Sequence, residues 1–229
     1  MHPELGVDSI NPFKPMDLSS YIDHTLLKAN STLEDIQKCC AEAVQYGFAA
    51  VCVPPYYVME ANKLLHKKPP KVATVIGFPM GYSATPAKVE EIKKAIDEGA
   101  DELDAVINLC AVQSANWNYL ANDINSMITA AHLKGKVIKI ILETGLLSES
   151  DLLQLCEIVQ QSKPDFVKTS TGFNGEGATE EIIRLLRANL DPSIKIKASG
   201  GIRTKEAAYK MLEAGANRIG TSSGITIVS

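Results

Sequence analysis

Two lysines in apolar, strand-like runs are the residues of this sequence with the clearest capacity for chemistry. Lys168 lies in residues 166–172 (FVKTSTG), and Lys197 lies in residues 194–201 (IKIKASGG). An ammonium group among Val, Ile and Phe side chains is costly to desolvate, so it must meet an anion or lose its proton. A neutral lysine condenses with a carbonyl to form a Schiff base, and a second cation nearby favours the neutral form. The pair therefore predicts carbonyl chemistry through an iminium.

A carboxylate in a third apolar run is the natural acid-base partner for these amines. Asp104 lies within residues 99–108 (GADELDAVIN), where Asp101 and Glu102 precede the apolar stretch. Such a carboxylate can hold an ammonium and exchange protons with it or with a water. The simpler alternative is a structural salt bridge to Lys197 or Lys139. Lys139 lies further from the end of its run than Lys168, which favours a supporting charge over a catalytic amine.

The elements that must position these groups alternate regularly along the chain. Segments with helical spacing separate successive apolar runs, and no change in composition divides the series. This alternation predicts an α/β protein with a closed (β/α)8 barrel in a single domain, residues 17–229, preceded by a short N-terminal extension, residues 1–16. An open, doubly wound sheet is the alternative fold. The apolar runs end near Thr25, Pro54, Phe78, Asn108, Thr144, Thr171, Ser199 and Thr221.

In such a barrel the active site lies at the carboxyl ends of the strands, and phosphate is often bound by the loops after strands seven and eight. Here those loops are residues 199–203 (SGGIR) and 220–224 (GTSSG), and residues 169–172 (TSTG) follow strand six. Glycines let backbone amides approach an anion, and serines add hydroxyl donors. A tight turn is the alternative explanation for each loop alone. The predicted substrate-binding residues are Thr171, Gly172, Gly200, Gly201, Gly220, Ser222 and Ser223.

The sequence gives no support for a metal site or an organic cofactor. Its four histidines have no ligand spacing. Thr25 and Cys52 are weaker candidates for the site, because each lies near the end of a strand at the barrel mouth. A packed small side chain is the simpler interpretation of Cys52.

Composition places the chain in a broad class of protein. Of its 229 residues 45% are hydrophobic and 22% charged, which is ordinary for a globular domain, and the formal net charge of -4 predicts neither a nucleic-acid nor a membrane partner. The five cysteines are an odd number without a Cys-x-x-Cys pair. They favour free thiols in a reducing compartment, so we expect a cytoplasmic protein.

Seven motifs in order resemble a known family. They are residues 23–27 (DHTLL), 50–54 (AVCVP), 75–79 (VIGFP), 102–108 (ELDAVIN), 166–173 (FVKTSTGF), 197–203 (KASGGIR) and 218–224 (RIGTSSG). Together they are similar to the 2-deoxyribose-5-phosphate aldolases, which are class I aldolases. The resemblance implies a metal-free barrel that reversibly splits 2-deoxy-D-ribose 5-phosphate into D-glyceraldehyde 3-phosphate and acetaldehyde. It also implies that Lys168 forms the Schiff base, that Lys197 perturbs it and that Asp104 joins the proton relay.

Two departures from that family affect the site. Some members have a lysine after the strand-six glycine, where this chain has Phe173, and some end in a tyrosine that assists proton transfer, where this chain ends at Ser229. Two other functions remain open: a phosphate-binding barrel isomerase or epimerase that uses only acid-base chemistry, and a catalytically silent sugar-phosphate sensor. A homodimer is a further expectation, common among such enzymes.

Overall fold

The computed structural model of the protein describes residues 17–229, which form a closed barrel of eight parallel strands in sequential order. β1 pairs with β2 on one side and with β8 on the other, so the sheet has no edge. The closed order confirms the predicted (β/α)8 barrel over the doubly wound sheet. The predicted extension, residues 1–16, lies outside the described residues, and its boundary stays a prediction. The strands are β1 (Ile22–Thr25), β2 (Ala50–Val53), β3 (Lys71–Ile76), β4 (Glu102–Val106), β5 (Val137–Ile141), β6 (Phe166–Lys168), β7 (Lys195–Ser199) and β8 (Arg218–Thr221).

The described residues also form nine α-helices, most of which follow a strand and cover the barrel. None of these helices is long and apolar enough to cross a membrane. Short 3-10 helices lie at Ser19–Tyr21, Pro55–Tyr57 and Thr144–Leu146. The α-helices are α1 (Leu33–Tyr46), α2 (Val58–Leu64), α3 (Thr85–Asp97), α4 (Leu109–Gln113), α5 (Trp117–His132), α6 (Glu149–Ser162), α7 (Glu180–Asn189), α8 (Lys205–Glu213) and α9 (Gly224–Val228).

Helix starts follow local capping chemistry. Ser148 caps α6 as its sequence predicts, through a reciprocal pair of hydrogen bonds with Asp151. The N-cap of α1 is Thr32, because Asp35 three residues later completes a capping box with Thr32. The short α4 has no amphipathic period long enough to detect in the sequence, and it was not predicted.

The alternation of side chains along each strand separates two apolar regions. Outward residues such as Leu103 and Ala105 of β4 belong to the large core between barrel and helices. Inside the barrel, a small apolar cluster lines the β2 and β3 side, and the other strands direct charged side chains inward. The interior cluster is Ala50, Cys52, Ala73 and Val75.

A buried ion pair fixes the loop after β3, which carries part of the barrel mouth. Lys88 of α3 donates to Asp123 of α5 over 2.6 Å, and both side chains are fully buried. The same ammonium donates to the carbonyls of Gly81 at 3.0 Å and Val106 at 3.1 Å. A buried charge needs this degree of pairing to be tolerated. It ties the β3 loop to β4 and to α5.

Candidate active site

Asp104 is bound by three lysines inside the barrel. Its Oδ2 accepts hydrogen bonds from Lys168 at 2.9 Å and from Lys197 at 2.7 Å, and its Oδ1 accepts one from Lys139 at 2.8 Å. Strand register produces this arrangement, because Asp104 pairs with Lys139 across β4 and β5, and Lys168 pairs with Lys197 across β6 and β7. The structure therefore brings together the three residues predicted to be catalytic, with Lys139 as their neighbour.

Asp23, Glu102 and Arg218 complete the buried charge network. Lys139 pairs with Glu102 at 2.6 Å, and Lys197 pairs with Asp23 at 2.5 Å. Arg218 donates from Nε to Asp23 at 2.7 Å and from a terminal nitrogen to Glu102 at 3.2 Å. A buried cation or carboxylate is tolerated only when it is paired in this way.

These three residues were not among the predicted site residues, although the alternation of side chains along each strand indicates them. Asp23 lies two residues before Thr25, Glu102 two before Asp104, and Arg218 two before Gly220. Residues two apart on a strand share a face. Counting back two residues from each of these inward positions identifies all three.

The charges in this network set the protonation of its members. Burial disfavours the charged form of Asp104, but the three lysines outweigh that effect and hold the pKa of Asp104 well below its usual range. Burial also opposes the charge of Lys197, and Asp104 with Asp23 outweighs it, so the pKa of Lys197 is raised. The pKa of Lys139 is raised for the same reason, chiefly by Asp104 and Glu102. Both of these lysines therefore remain ammonium ions at neutral pH.

Lys168 differs from the other two lysines. Lys139 and Lys197 are fully buried and each contacts more than one carboxylate. Lys168 is 3% exposed at the end of β6, and among the described residues it contacts only one carboxylate oxygen, which Lys197 shares. If every group in the network were charged, four cations would face three carboxylates. Among the described residues, Lys168 is the amine of this network with the fewest carboxylate contacts, and it lies at the end of its strand. The cations are Lys139, Lys168, Lys197 and Arg218, and the carboxylates are Asp23, Glu102 and Asp104.

A cavity of about 260 Å³ lies at this end of the barrel, between the loops after β1, β6, β7 and β8. Ser223 lies beside this lining, half-buried, with its amide bound to Thr221 Oγ1 at 2.9 Å. Cys52 lies in the interior apolar cluster. The predicted site residues that line the cavity are Thr25, Thr171, Gly172, Gly200, Gly201, Gly220 and Ser222.

The predicted binding residues differ in what they offer a ligand. Both donors of Thr171, its amide and its hydroxyl, are bound to the carboxylate of Glu143. Gly220 makes room for Lys197, because a Cβ on Gly220 would lie 2.8 Å from Lys197 Cε. A Cβ on Gly201 would meet no atom within 4 Å, so its backbone faces open space. The backbone of Gly201 is therefore more accessible to an anion than either Thr171 donor.

Two cations at the cavity were not identified from the sequence. Lys28, in the loop after β1, and Arg203, in the loop after β7, both line it. They bring positive charge to the region where a lysine after Gly172 is absent. Phe173 occupies that position, lines the cavity and packs edge-on against Phe78 with ring centroids 5.2 Å apart.

The two weaker candidates have structural partners. Cys52 is fully buried, and burial raises the pKa of its thiol to about 11, so it is a neutral thiol at physiological pH. Thr25 donates its hydroxyl hydrogen to the carbonyl of Asp23 at 2.9 Å. Among residues 17–229, no three His, Cys, Asp or Glu side chains are grouped to hold a metal ion.

The barrel holds amines around one buried carboxylate, and the cavity above them is lined by cations and glycine loops. Such a site is expected of a (β/α)8 barrel enzyme that acts on an anionic carbonyl compound. The model of the DeoC/LacD family aldolases matches residues 16–229. The chain belongs to this family of aldolases.

Individual relatives support that membership over almost the whole chain. The deoxyribose-phosphate aldolase of Thermococcus gammatolerans is 52% identical over 93% of this chain and 96% of its own length. The deoxyribose-phosphate aldolase of Desulfitobacterium hafniense is 50% identical over 94% of this chain and 99% of its own. Among solved structures, the tetrameric deoxyribose phosphate aldolase of Aeropyrum pernix superposes with a TM-score of 0.86 at 34% identity, over 92% of this chain and 89% of that one.

Proposed function

We propose that this protein reversibly cleaves 2-deoxy-D-ribose 5-phosphate into D-glyceraldehyde 3-phosphate and acetaldehyde, through a Schiff base on Lys168. Family membership supports an aldolase, and the relatives' names supply the substrate. The observation that carries the mechanism is the shared oxygen of Asp104, which leaves Lys168 as the least paired of three buried amines. No organic cofactor is needed for this chemistry, because the iminium itself accepts the electrons of the breaking bond.

The first half of the reaction builds the electron sink. The lone pair on Lys168 Nζ attacks C1 of the open-chain sugar, and the resulting carbinolamine loses water to form the iminium. Asp104 accepts hydrogen bonds from both Lys168 and Lys197, so the pair of Lys197 and Asp104 can supply and remove the protons of the dehydration. Because Lys197 remains an ammonium ion, it also opposes protonation of Lys168.

The second half breaks the carbon skeleton. The C3 hydroxyl loses its proton, the C2–C3 bond breaks, and its electron pair moves into the iminium to give an enamine. D-Glyceraldehyde 3-phosphate leaves, the enamine is protonated at C2, and water hydrolyses the new iminium to release acetaldehyde. We assign these proton transfers to water and to the pair of Lys197 and Asp104.

The phosphate end is assigned to the cavity above the network. Lys28 and Arg203 supply positive charge, and the exposed glycine backbones of the loops after β6 and β7 supply amide donors. The serines after β8 add hydroxyl groups at its rim.

Reductive trapping tests the central step. The protein is incubated with acetaldehyde, reduced with borohydride and digested, and the modified lysine is located by mass spectrometry. We expect the ethyl adduct on Lys168. An adduct on Lys139 or Lys197 contradicts the assignment of the amine, and catalytic cleavage without any adduct contradicts the Schiff base itself.

The other functions left open by the sequence have less support. An isomerase or epimerase has no need of three amines around one carboxylate, and the relatives described above are aldolases by name. A silent sensor would lack a catalytic residue, whereas Lys168, Lys197 and Asp104 are all in place. We keep a cytoplasmic location and a homodimer as proposals, noting that the Aeropyrum pernix relative is a tetramer.

A further inference from the structure

Glu143 is a buried carboxylate outside the lysine network. It follows β5 in a left-handed conformation (φ 58°, ψ 55°) that a residue with a side chain rarely adopts, and its side chain is fully buried. Its hydrogen-bond partners among the described residues are all neutral groups. Burying a carboxylate without a cation is costly. A cost of both backbone strain and charge burial indicates a specific role.

The partners of Glu143 all belong to the loop after β6. Its Oε1 accepts the amide hydrogen of Thr171 at 2.9 Å, and its Oε2 accepts the hydroxyl of Thr171 and the side-chain amide of Asn174, the latter at 3.2 Å. The Thr171 hydroxyl in turn accepts the amide hydrogen of Phe173 at 3.1 Å. Each of these three groups donates a hydrogen to the carboxylate.

Gly172 lies between these anchored residues. It has φ 82° and lines the cavity, and no hydrogen bond occupies its amide within residues 17–229. A Cβ on Gly172 would lie 3.9 Å from Gly200 Cα, so the β6 and β7 loops meet at their glycines. Glu143 thus accepts hydrogen bonds from both donors of Thr171 and fixes the backbone on either side of Gly172. The Gly172 amide remains available to a ligand.

The same loop is attached across the barrel mouth to the loop after β3. Asn174 donates to the carbonyl of Pro79 at 3.4 Å as well as to Glu143, and the ring of Phe173 packs against that of Phe78. Lys88 fixes the β3 loop, so the segment around Gly172 is held both by Glu143 and by the β3 loop. Amides that are held in place before binding lose little entropy when an anion arrives.

We propose that Glu143 is a positioning residue for phosphate recognition: its carboxylate presents the Gly172 amide, together with the glycine backbones of the β7 loop, to the phosphate of the substrate. The proposal rests on the proposed function for the identity of that substrate. It assigns to Glu143 no contact with the reacting carbons and no part in the Schiff base. Its removal therefore acts on one end of the substrate only.

The test is Glu143→Gln, which keeps the size of the side chain but turns an NH2 group toward donors. We expect the Michaelis constant for 2-deoxyribose 5-phosphate to rise at least about tenfold, with kcat within about threefold of the unmodified protein. Cleavage of unphosphorylated 2-deoxyribose and borohydride trapping on Lys168 should be unchanged. Glu176→Gln, an exposed carboxylate in the same loop, is the matched control and should behave as the unmodified protein.

The affinity for inorganic phosphate, measured by calorimetry, should be lower in Glu143→Gln whether or not the protein cleaves the sugar. This measurement therefore separates the role of Glu143 from the proposed function. If Glu143→Gln does not fold, Asn174→Asp brings a second carboxylate to the same contact from a half-buried loop position and should show the same selective effect. Equal losses on both sugars, or unchanged phosphate binding, would overturn the positioning role.

Discussion

Lys168 and Lys197 donate to the same carboxylate oxygen, Oδ2 of Asp104, over 2.9 Å and 2.7 Å. One oxygen cannot neutralise two ammonium ions, and Lys197 has Asp23 as an additional partner at 2.5 Å. Lys197 is therefore the more fully paired of the two amines, whereas the shared oxygen is the one carboxylate contact of Lys168 within residues 17–229. The geometry makes separate predictions for the amine, its neighbour and the carboxylate.

Lys168→Ala should abolish both cleavage of 2-deoxyribose 5-phosphate and reductive trapping with acetaldehyde. No other amine of the network is free enough of carboxylates to replace it. Lys195→Ala is a suitable control, because Lys195 is exposed at the start of β7 and its ammonium lies 5.5 Å from the ring of Phe166. Steady-state rates and mass spectrometry of the reduced protein are the measurements. Trapping on Lys139 in the variant would contradict the assignment.

Lys197→Met should lower kcat at neutral pH by about 10²–10⁴, the range for loss of one proton-transfer group. The pKa of Lys197 is raised, so in the unmodified protein its charge persists through neutral and mildly alkaline pH. In the variant that charge is absent, and a rising hydroxide concentration should partly restore the neutral amine on Lys168. We expect activity to recover between pH 7 and pH 9, measured as a pH–rate profile. A flat profile would argue against the perturbing role.

Asp104→Asn should reduce stability at pH 7 by about 3–5 kcal/mol, because it leaves buried lysines without their common partner. The pKa of Asp104 is held well below its usual range, so its contribution to stability is complete above about pH 4 and is lost as the pH falls toward the folded-state pKa. The variant should therefore depend less on pH below 4. Urea denaturation at several pH values measures both effects, and equal acid sensitivity of the two proteins would contradict the linkage.

The cysteines should differ sharply in alkylation of the native protein at pH 8. Cys110 is exposed, whereas Cys52 is fully buried with a thiol pKa raised to about 11 by burial. Iodoacetamide reacts with the thiolate, so Cys110 should be labelled first and Cys52 only after unfolding. Peptide mapping against time measures this, with Cys110→Ser as the control that removes the fast phase. Rapid labelling of Cys52 would indicate that the barrel interior opens.

Much of this architecture could be predicted from the sequence, because local physics determines it. The regular spacing of the apolar runs along the chain predicts the barrel, and the pair of Ser148 and Asp151 predicts the start of α6. The predicted catalytic residues meet at one carboxylate because alternation fixes which side chains point inward. These features depend on spacing within single strands and helices, which a sequence displays directly.

The rest depends on contacts between distant residues. Glu143 binds Thr171 and Asn174 from 28 and 31 residues away, and nothing near it in the sequence indicates that pairing. The sixth apolar run continues to Thr171, but β6 ends at Lys168, and beyond it the Thr169 hydroxyl donates to the carbonyl of Ser199 in β7. Such side-chain bonds between neighbouring strands depend on loop geometry that a single sequence does not specify.

The phosphate assignment predicts an effect of added negative charge at the β8 loop. Ser222 is exposed and lines the cavity, and Ser223 lies next to it, half-buried. A carboxylate about 4 Å from a phosphate charge costs roughly 1–4 kcal/mol, depending on the effective dielectric constant. Ser222→Asp and Ser223→Asp should both raise the Michaelis constant for 2-deoxyribose 5-phosphate, at least about tenfold for a cost of 1.4 kcal/mol.

The unphosphorylated sugar separates this effect from general damage. Activity on 2-deoxyribose should change little in Ser222→Asp and Ser223→Asp, since that substrate places no anion at the cavity. Ser126→Asp, at a half-buried position of α5, controls for added charge remote from the site and should leave both substrates unaffected. Steady-state kinetics on the two sugars decide the matter. If Ser222→Asp and Ser223→Asp impair both sugars equally, the added carboxylate has disturbed the lysine network, and the phosphate must bind at another loop of the barrel mouth.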